Sequence, residues 1–104
     1  MTTIKVCLFD GRHDLPENAG AIIQSFDFET MKPEYSELFN EQIFPLFFSK
    51  EKFCVELYVT GLTPALTDVI REFAMAECLN SLVLLHFNHA TSDYVKQYMQ
   101  VYDA

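Results

Sequence analysis

The sequence predicts a single α/β domain over residues 1–104, with two helices and a mixed sheet of about five strands in the order β-β-α-β-α-β-β. Residues 54–60 alternate apolar and polar side chains, as a half-buried strand requires. Residues 63–74 carry apolar side chains at helical spacing, and residues 82–85 form a continuous apolar run typical of a strand covered on both faces. This strand-helix-strand unit predicts parallel pairing, and 104 residues, 50% of them hydrophobic, suffice for one core.

The beginning of the chain predicts two short strands separated by a loop. Apolar side chains alternate at positions 4, 6 and 8, and the pattern ends at the turn-forming pair Asp10-Gly11. Proline, glycine and asparagine punctuate residues 12–20, which predicts a surface loop. Residues 21–26 then have the pattern of a second short strand.

A first helix is predicted to begin at Pro33 and to place the apolar side chains of residues 35–47 on one side. Its other side carries Glu34, Glu37 and Glu41. Pro45 would clash with the carbonyl of Glu41, so the helix should kink or stop near there and leave residues 46–48 in a bent last turn.

The second half of the chain supplies the rest of the sheet. Gly61 ends the central strand, and Thr63 is predicted to cap the following helix, with Pro64 in its first turn. Turn-forming residues at 88–93 precede an alternating stretch at 94–102, which predicts a closing antiparallel hairpin. The pattern leaves open whether the two helices flank the sheet or share one face.

The charge of the chain restricts its partners. Fifteen Asp and Glu against seven Lys and Arg give a formal net charge of −8. Such a surface repels nucleic-acid backbones and anionic membranes, so direct binding to either is disfavoured. It suits a protein partner with a basic groove, because complementary potentials speed encounter, although solubility is the simpler explanation.

Cysteine usage and the lack of targeting signals predict a soluble, cytoplasmic protein. The three cysteines are widely spaced and lie within predicted strands and a helix, so we interpret them as thiols of a reducing compartment. The N-terminus has the alternation of a strand and not the apolar core of a signal peptide. No apolar run approaches the roughly 18 residues of a membrane span.

The densest charge in the chain is the leading candidate site, which we call the acidic set. Its members are Asp27, Glu29, Glu34, Glu37 and Glu41. Lys32 is the only basic residue among them. We predict that the acidic set binds a basic protein by mimicking nucleic-acid phosphates. A divalent-ion site and acid-base chemistry are two alternatives. A solvated helix face is a third, which the helical spacing of the glutamates fits.

A second candidate site is the corner between the central strand and the second helix. It consists of Thr60, Gly61, Leu62 and Thr63. Open α/β sheets bind ligands at such corners, where free N–H groups attract phosphate. The corner has one glycine, lacks a P-loop lysine and contains Pro64, which removes a donor, so a purely structural turn is the alternative that we favour.

Signatures of catalysis and of metal binding are weak. The sequence contains neither a Cys-x-x-Cys nor a His-Glu-x-x-His motif, and no serine lies in a nucleophile elbow. His13 beside Asp14 has the composition of a general base with an orienting carboxylate, but a solvated turn is the commoner cause of such a pair. We therefore predict no catalytic residue, no metal and no cofactor.

The tyrosines near the C-terminus provide a third candidate surface. If both helices share one side of the sheet, Tyr58, Tyr94, Tyr98 and Tyr102 are predicted to form an exposed aromatic face on the other side. Tyr94, Tyr98 and Tyr102 would then form the interface of a homodimer.

Three segments also carry a resemblance to a group of proteins. Residues Phe26–Glu29, Tyr35–Phe39 and especially Leu57–Thr67 resemble small acidic proteins carried on conjugative and other mobile elements of Gram-positive gut bacteria. This resemblance implies a setting that includes anti-restriction and anti-CRISPR inhibitors, some of which occupy nucleic-acid-binding grooves.

The sequence therefore leads to three functional hypotheses. The first is a non-enzymatic protein-binding module, an anti-defence inhibitor of the anti-CRISPR type, whose acidic set faces a basic, nucleic-acid-binding defence effector. The second is a small nucleotide- or phosphate-binding enzyme that uses the corner at Thr60–Thr63. The third is a structural homodimer that uses the C-terminal tyrosines.

Overall fold

The computed structural model contains a five-stranded mixed sheet and two helical segments, which confirms the predicted α/β class. It describes residues 1–9, 15 and 19–99. The strands are β1 (Thr2–Cys7), β2 (Gly20–Ala21), β3 (Ile23–Asp27), β4 (Lys32–Tyr35), β5 (Phe53–Val59), β6 (Leu79–Asn88) and β7 (Asp93–Met99). The helical elements are a π-helical turn (Phe39–Ile43), a 3₁₀ helix (Phe44–Phe48) and the α-helix α1 (Thr63–Ala74).

The main sheet has the strand order β2-β1-β5-β6-β7, and β3 and β4 form a separate two-stranded hairpin. Strand β1 pairs in parallel with both β2 and β5, β5 pairs in parallel with β6, and β7 closes the sheet in the antiparallel sense. The register aligns Val6 with Leu57 and Leu57 with Leu84, which gives a continuous apolar row across three strands.

Both helical segments pack on the same face of the sheet, which answers the question that the sequence left open. The main core joins side chains of the sheet to Phe39 of the π-helical turn and to Phe73 of α1, whose ring centroids lie 6.2 Å apart. A smaller cluster on the opposite face includes Cys7, Tyr58 and Val83. The protein is therefore built in two layers, with most of its apolar burial on the helical side.

The prediction that Pro33 begins a helix is wrong. Residues Lys32–Tyr35 form strand β4, in which Pro33 lies opposite Phe26 of β3. Proline has no backbone N–H to donate, but it is tolerated here because each strand of a two-stranded hairpin has one edge that pairs with no other strand of the hairpin. Glu34 therefore lies in a strand, and it does not share a helix face with Glu37 and Glu41 as the sequence pattern suggested.

The predicted disturbance at Pro45 is confirmed. The backbone N–H of Phe44 bonds to the carbonyl of Phe39, five residues earlier, so the helix widens to a π-turn before the proline. It then narrows into the 3₁₀ helix, in which Pro45 occupies the first turn. The second helix is confirmed over Thr63–Ala74, but its N-cap is Leu62 and no side chain caps it, so the prediction of Thr63 as the cap is wrong.

No helix in the described part of the chain is long and apolar enough to cross a membrane.

Candidate functional site

The β3–β4 hairpin exposes one polar face that carries part of the acidic set. Asp27 lies opposite Lys32, and Ser25 lies opposite Glu34. All four side chains are exposed, and the Ser25 hydroxyl donates a hydrogen bond of 3.3 Å to Glu34. Glu29 is also exposed, in the turn between the strands. The structure thus brings three of the five predicted carboxylates onto one hairpin.

A register irregularity in β3 explains how this short hairpin also has an apolar face. The pairing shifts between Ile23 and Ser25, so that Gln24 is the extra residue of a bulge. Because of the shift, Ile23 and Phe26 both pack against the main core. The hairpin is therefore fixed to the domain by one face and presents the other to solvent.

Asp27 shapes the turn that connects the two strands. Its Oδ1 accepts a 2.9 Å hydrogen bond from the backbone N–H of Glu29, and its Oδ2 accepts one of 3.1 Å from the Thr30 hydroxyl. Met31 completes the turn in the left-handed region, with φ of 56°. Because this region is unfavourable for residues other than glycine, asparagine and aspartate, the conformation of Met31 is a local cost that the hairpin sustains.

The remaining members of the acidic set, Glu37 and Glu41, are exposed on the helical segment that follows the hairpin. Ser36 fixes the junction between the two, because its hydroxyl donates to the carbonyl of Ala21 at 2.7 Å and accepts from the backbone N–H of Phe39 at 3.3 Å. The acidic set is therefore exposed along a single stretch of chain that changes from hairpin to helix at Ser36.

The turn also exposes two apolar side chains that the sequence analysis did not select. Phe28 is 60% exposed and Met31 is 51% exposed. They lie beside Asp27 and Glu29, and Phe28 makes an edge-to-face contact with Phe26 at 5.2 Å. We call residues Asp27–Lys32 the hairpin tip. The sequence does place Phe28 between Asp27 and Glu29. Its exposure follows only from the hairpin, which the sequence analysis did not predict.

A cleft of about 450 Å³ lies between the hairpin tip and α1. Its walls are formed by Thr30, Met31, Lys32, Pro64, Thr67, Asp68 and Arg71. Asp68 forms an ion pair with Arg71 and also accepts a 2.8 Å hydrogen bond from the Tyr35 hydroxyl. Met31 thus belongs both to the exposed tip and to the wall of a cleft.

The predicted phosphate corner is occupied by structural contacts. Thr60 is buried, its Oγ1 accepts a 2.9 Å hydrogen bond from the backbone N–H of Phe9, and its hydroxyl donates to the Phe9 carbonyl at 2.6 Å. Gly61 has φ of 102°, and a Cβ placed on it would lie 2.6 Å from the Phe9 ring. Thr63 is exposed and Leu62 is half-buried. The corner lies where the strand order reverses between β1 and β5, and the side chains of Thr60 and Phe9 fill its strand side.

The predicted tyrosine face is only partly exposed. Tyr58 is buried and meets the half-buried Tyr94 edge to face at 4.9 Å. Tyr98 is 73% exposed on β7, which is an edge strand of the sheet. Tyr102 lies outside the described residues. Among the described residues of the predicted interface, Tyr98 is therefore exposed to solvent, and Tyr94 packs against Tyr58.

Two further candidates from the sequence are the His13–Asp14 pair and a metal site. His13 and Asp14 lie outside the described residues. Within residues 1–9, 15 and 19–99, no group of three His, Cys, Asp or Glu side chains is arranged to hold a metal ion.

Comparison with known proteins adds no relative. No protein-family model, curated protein or solved structure matches this chain. The hairpin tip with the acidic set is one place in the described part of the chain where exposed charge and exposed apolar surface coincide.

Proposed function

We propose that this protein is a non-enzymatic binding module that presents the hairpin tip and the acidic set to a protein partner with a basic surface. The observation that carries the proposal is the exposure of Phe28 and Met31 beside Asp27 and Glu29. Protein interfaces gain most of their energy from a few apolar or aromatic anchors near their centre, and charged residues at the rim set specificity and association rate.

The acidic set and the hairpin tip together indicate the chemistry of the partner surface. Five exposed carboxylates with one lysine among them favour a surface rich in Arg and Lys. An exposed phenylalanine in the same place adds a ring face for a guanidinium or ammonium group, as well as apolar area for a shallow pocket. The partner surface that fits is therefore a basic groove with an apolar floor.

Basic grooves are typical of proteins that bind nucleic acids, which indicates the class of partner. With the resemblance to small acidic mobile-element proteins, we propose that the partner is a nucleic-acid-binding defence effector in the cytoplasm and that binding blocks its groove. The net charge of −8 supports this, since the chain carries the same sign as the phosphates it would replace.

The test compares two triple variants with equal loss of charge. Glu29, Glu37 and Glu41 are changed to Gln in the first, because all three side chains are exposed. Glu51, Glu56 and Glu72, which lie outside the acidic set, are changed to Gln in the control. The tagged chain is used to capture proteins from a host lysate. The affinity of the recovered partner is then measured for the wild type and for both variants.

We expect the acidic-set variant to lose at least about tenfold in affinity and the control to remain within about twofold. Raising the ionic strength severalfold should weaken the wild-type complex, because salt screens the attraction between exposed charges. The effect on the acidic-set variant should be smaller, because that variant lacks three of these charges. Unchanged affinity in the acidic-set variant, or indifference of the wild-type complex to salt, would contradict the proposal.

A further inference from the structure

A second exposed apolar surface lies away from the hairpin tip, at the end of the 3₁₀ helix. It consists of Phe44, Phe47, Phe48 and Met75, and we call it the aromatic patch. Phe48 is 76% exposed and Met75, which follows the last turn of α1, is 67% exposed. Large apolar side chains grouped in this way on a soluble domain mark an interaction surface more often than isolated ones do.

The aromatic patch is held in place by the core behind it. Phe47 packs on Phe73 of α1 at 5.8 Å and on Phe39 at 6.0 Å, so it anchors the patch to the interior. Phe44 contacts Phe47 at 5.5 Å and Phe48 edge to face at 5.2 Å. The exposed rings are therefore positioned before any partner binds, which lowers the entropic cost of association.

A cleft of about 590 Å³ adjoins the aromatic patch. It is lined by Phe47, Phe48, Ser49, Lys50, Met75, Glu77 and Cys78. The Cys78 thiol donates a 2.9 Å hydrogen bond to the carbonyl of Ser49, which ties the end of the 3₁₀ helix to the connection that precedes β6. The patch thus supplies both a projecting ring, Phe48, and a recess beside it.

The charges around this cleft are balanced, although the chain as a whole carries a formal net charge of −8. Lys50 and Lys52 are exposed here together with Glu51 and Glu77, and a second cleft is lined by both Lys52 and Glu77. Two chains that each carry a formal charge of −8 repel one another over most orientations. Two copies can approach one another through the aromatic patch without this repulsion, because the charges around it are balanced.

We propose that the aromatic patch binds the aromatic patch of a second copy of this chain, forming a two-fold symmetric dimer. In a two-fold symmetric interface, each contact between two different residues occurs twice, once in each direction. A surface with a cation and an anion beside an apolar centre can therefore be complementary to itself. Lys50 of each copy then faces Glu77 of the other, and Phe48 of each enters the recess of the other. This dimer leaves the hairpin tip free and does not depend on the proposed function.

The proposal is tested by sedimentation equilibrium of the full chain over a range of concentrations. We expect a reversible dimer for the wild type. Phe48→Ser, Lys50→Glu and Glu77→Lys should each weaken dimerisation by at least about tenfold, the charge variants because each places like charges opposite one another twice. All three side chains are exposed, so folding should be retained, and circular dichroism checks this.

Mixing the two charge variants separates a specific contact from a general change in charge. In a mixed dimer of Lys50→Glu with Glu77→Lys, both contacts join opposite charges again. We therefore expect the mixture to form a heterodimer with about the wild-type affinity, although each variant alone dimerises at least about tenfold more weakly. Tyr98→Glu on β7 should leave the wild-type dimer intact. A wild-type chain that stays monomeric, a mixture that stays monomeric, or a dimer that Tyr98→Glu dissociates would overturn the proposal.

Discussion

The hydroxyl of Tyr35 donates a 2.8 Å hydrogen bond to the carboxylate of Asp68, and this contact joins the β3–β4 hairpin to α1. The Tyr35 ring also stacks on Phe39, with centroids 4.4 Å apart. Burial, and next the hydrogen bond to Asp68, raises the pKa of Tyr35 well above its ordinary value. The attachment of the hairpin, and hence of the acidic set, therefore depends on a tyrosine that must remain protonated.

The first prediction concerns stability at high pH. Because the folded pKa of Tyr35 lies above the unfolded value near 10, the unfolded chain releases this proton first as the pH rises. The stabilisation is fully present below about pH 10, and above it the free energy of unfolding should fall by up to about 1.4 kcal/mol per pH unit through this group. Urea unfolding at several pH values should show a shallower decline for Tyr35→Phe than for the wild type.

Two comparisons make this test specific. Tyr98→Phe replaces a tyrosine that is 73% exposed and serves as the control for the loss of a tyrosine hydroxyl as such. Burial also raises the pKa of Tyr58, so part of the decline should persist in Tyr35→Phe. Identical pH profiles for the wild type and Tyr35→Phe would show that Tyr35 ionises as easily in the folded protein as in the unfolded chain.

The sequence predicted those parts of the fold that depend on local periodicity. The alternation of residues 54–60 and the apolar stripe of residues 63–74 each fit one type of element, and both predictions are confirmed. The hairpin was missed because Tyr35, Leu38 and Phe39 have helical spacing, while Pro33 suits either a first helical turn or an edge strand. The choice depends on the pairing of Pro33 with Phe26, which a local pattern does not contain.

The candidate sites divide in the same way. The acidic set was visible in the sequence because its members are close in the chain, and all are exposed. The contact between Thr60 and Phe9 spans 51 residues, so the sequence could show that the corner lacks phosphate-binding residues but not what fills it. The sequence also could not show that three large apolar side chains, Phe28, Met31 and Phe48, are exposed, because side chains of this kind are usually buried.

The second prediction tests the contact between Thr60 and Phe9. Thr60→Val keeps the shape of the side chain but leaves the backbone N–H and carbonyl of Phe9 without their partner. We expect the free energy of unfolding to fall by about 1–3 kcal/mol, with an unchanged urea m-value. Thr67→Val is the matched control, because the Thr67 hydroxyl is exposed and donates its hydrogen bond to the Thr63 carbonyl of the same helix. This change should alter stability by less than about 0.5 kcal/mol. Equal effects would show that the buried contact adds nothing.

The third prediction separates two roles of Gly61. Gly61→Ala should destabilise the protein by at least about 1 kcal/mol, since φ of 102° is unfavourable for alanine and its methyl group would meet the Phe9 ring. Gly61→Ala combined with Phe9→Ala removes the clash but not the backbone strain. In a thermal unfolding cycle, the loss caused by Gly61→Ala should therefore be smaller on the Phe9→Ala background without disappearing. A fully additive cycle would exclude the contact with Phe9 as a cause.

The fourth prediction sets stability against binding at the hairpin tip. Met31 has φ of 56°, so Met31→Gly should relieve strain and raise the free energy of unfolding by about 1 kcal/mol. The same change removes one of the two exposed apolar side chains of the tip, so the affinity for the basic partner should fall by at least about tenfold.

Ser92 supplies the matched control, because it also has positive φ, 55°, but lies in the connection between β6 and β7. Ser92→Gly should stabilise the chain by a similar amount and leave partner binding unchanged. Phe28→Ala should do the reverse, weakening binding while changing stability by about 0.5 kcal/mol or less, since the ring is 60% exposed. If Met31→Gly and Phe28→Ala both bind like the wild type, the hairpin tip is not the anchor, and the strained turn needs another explanation.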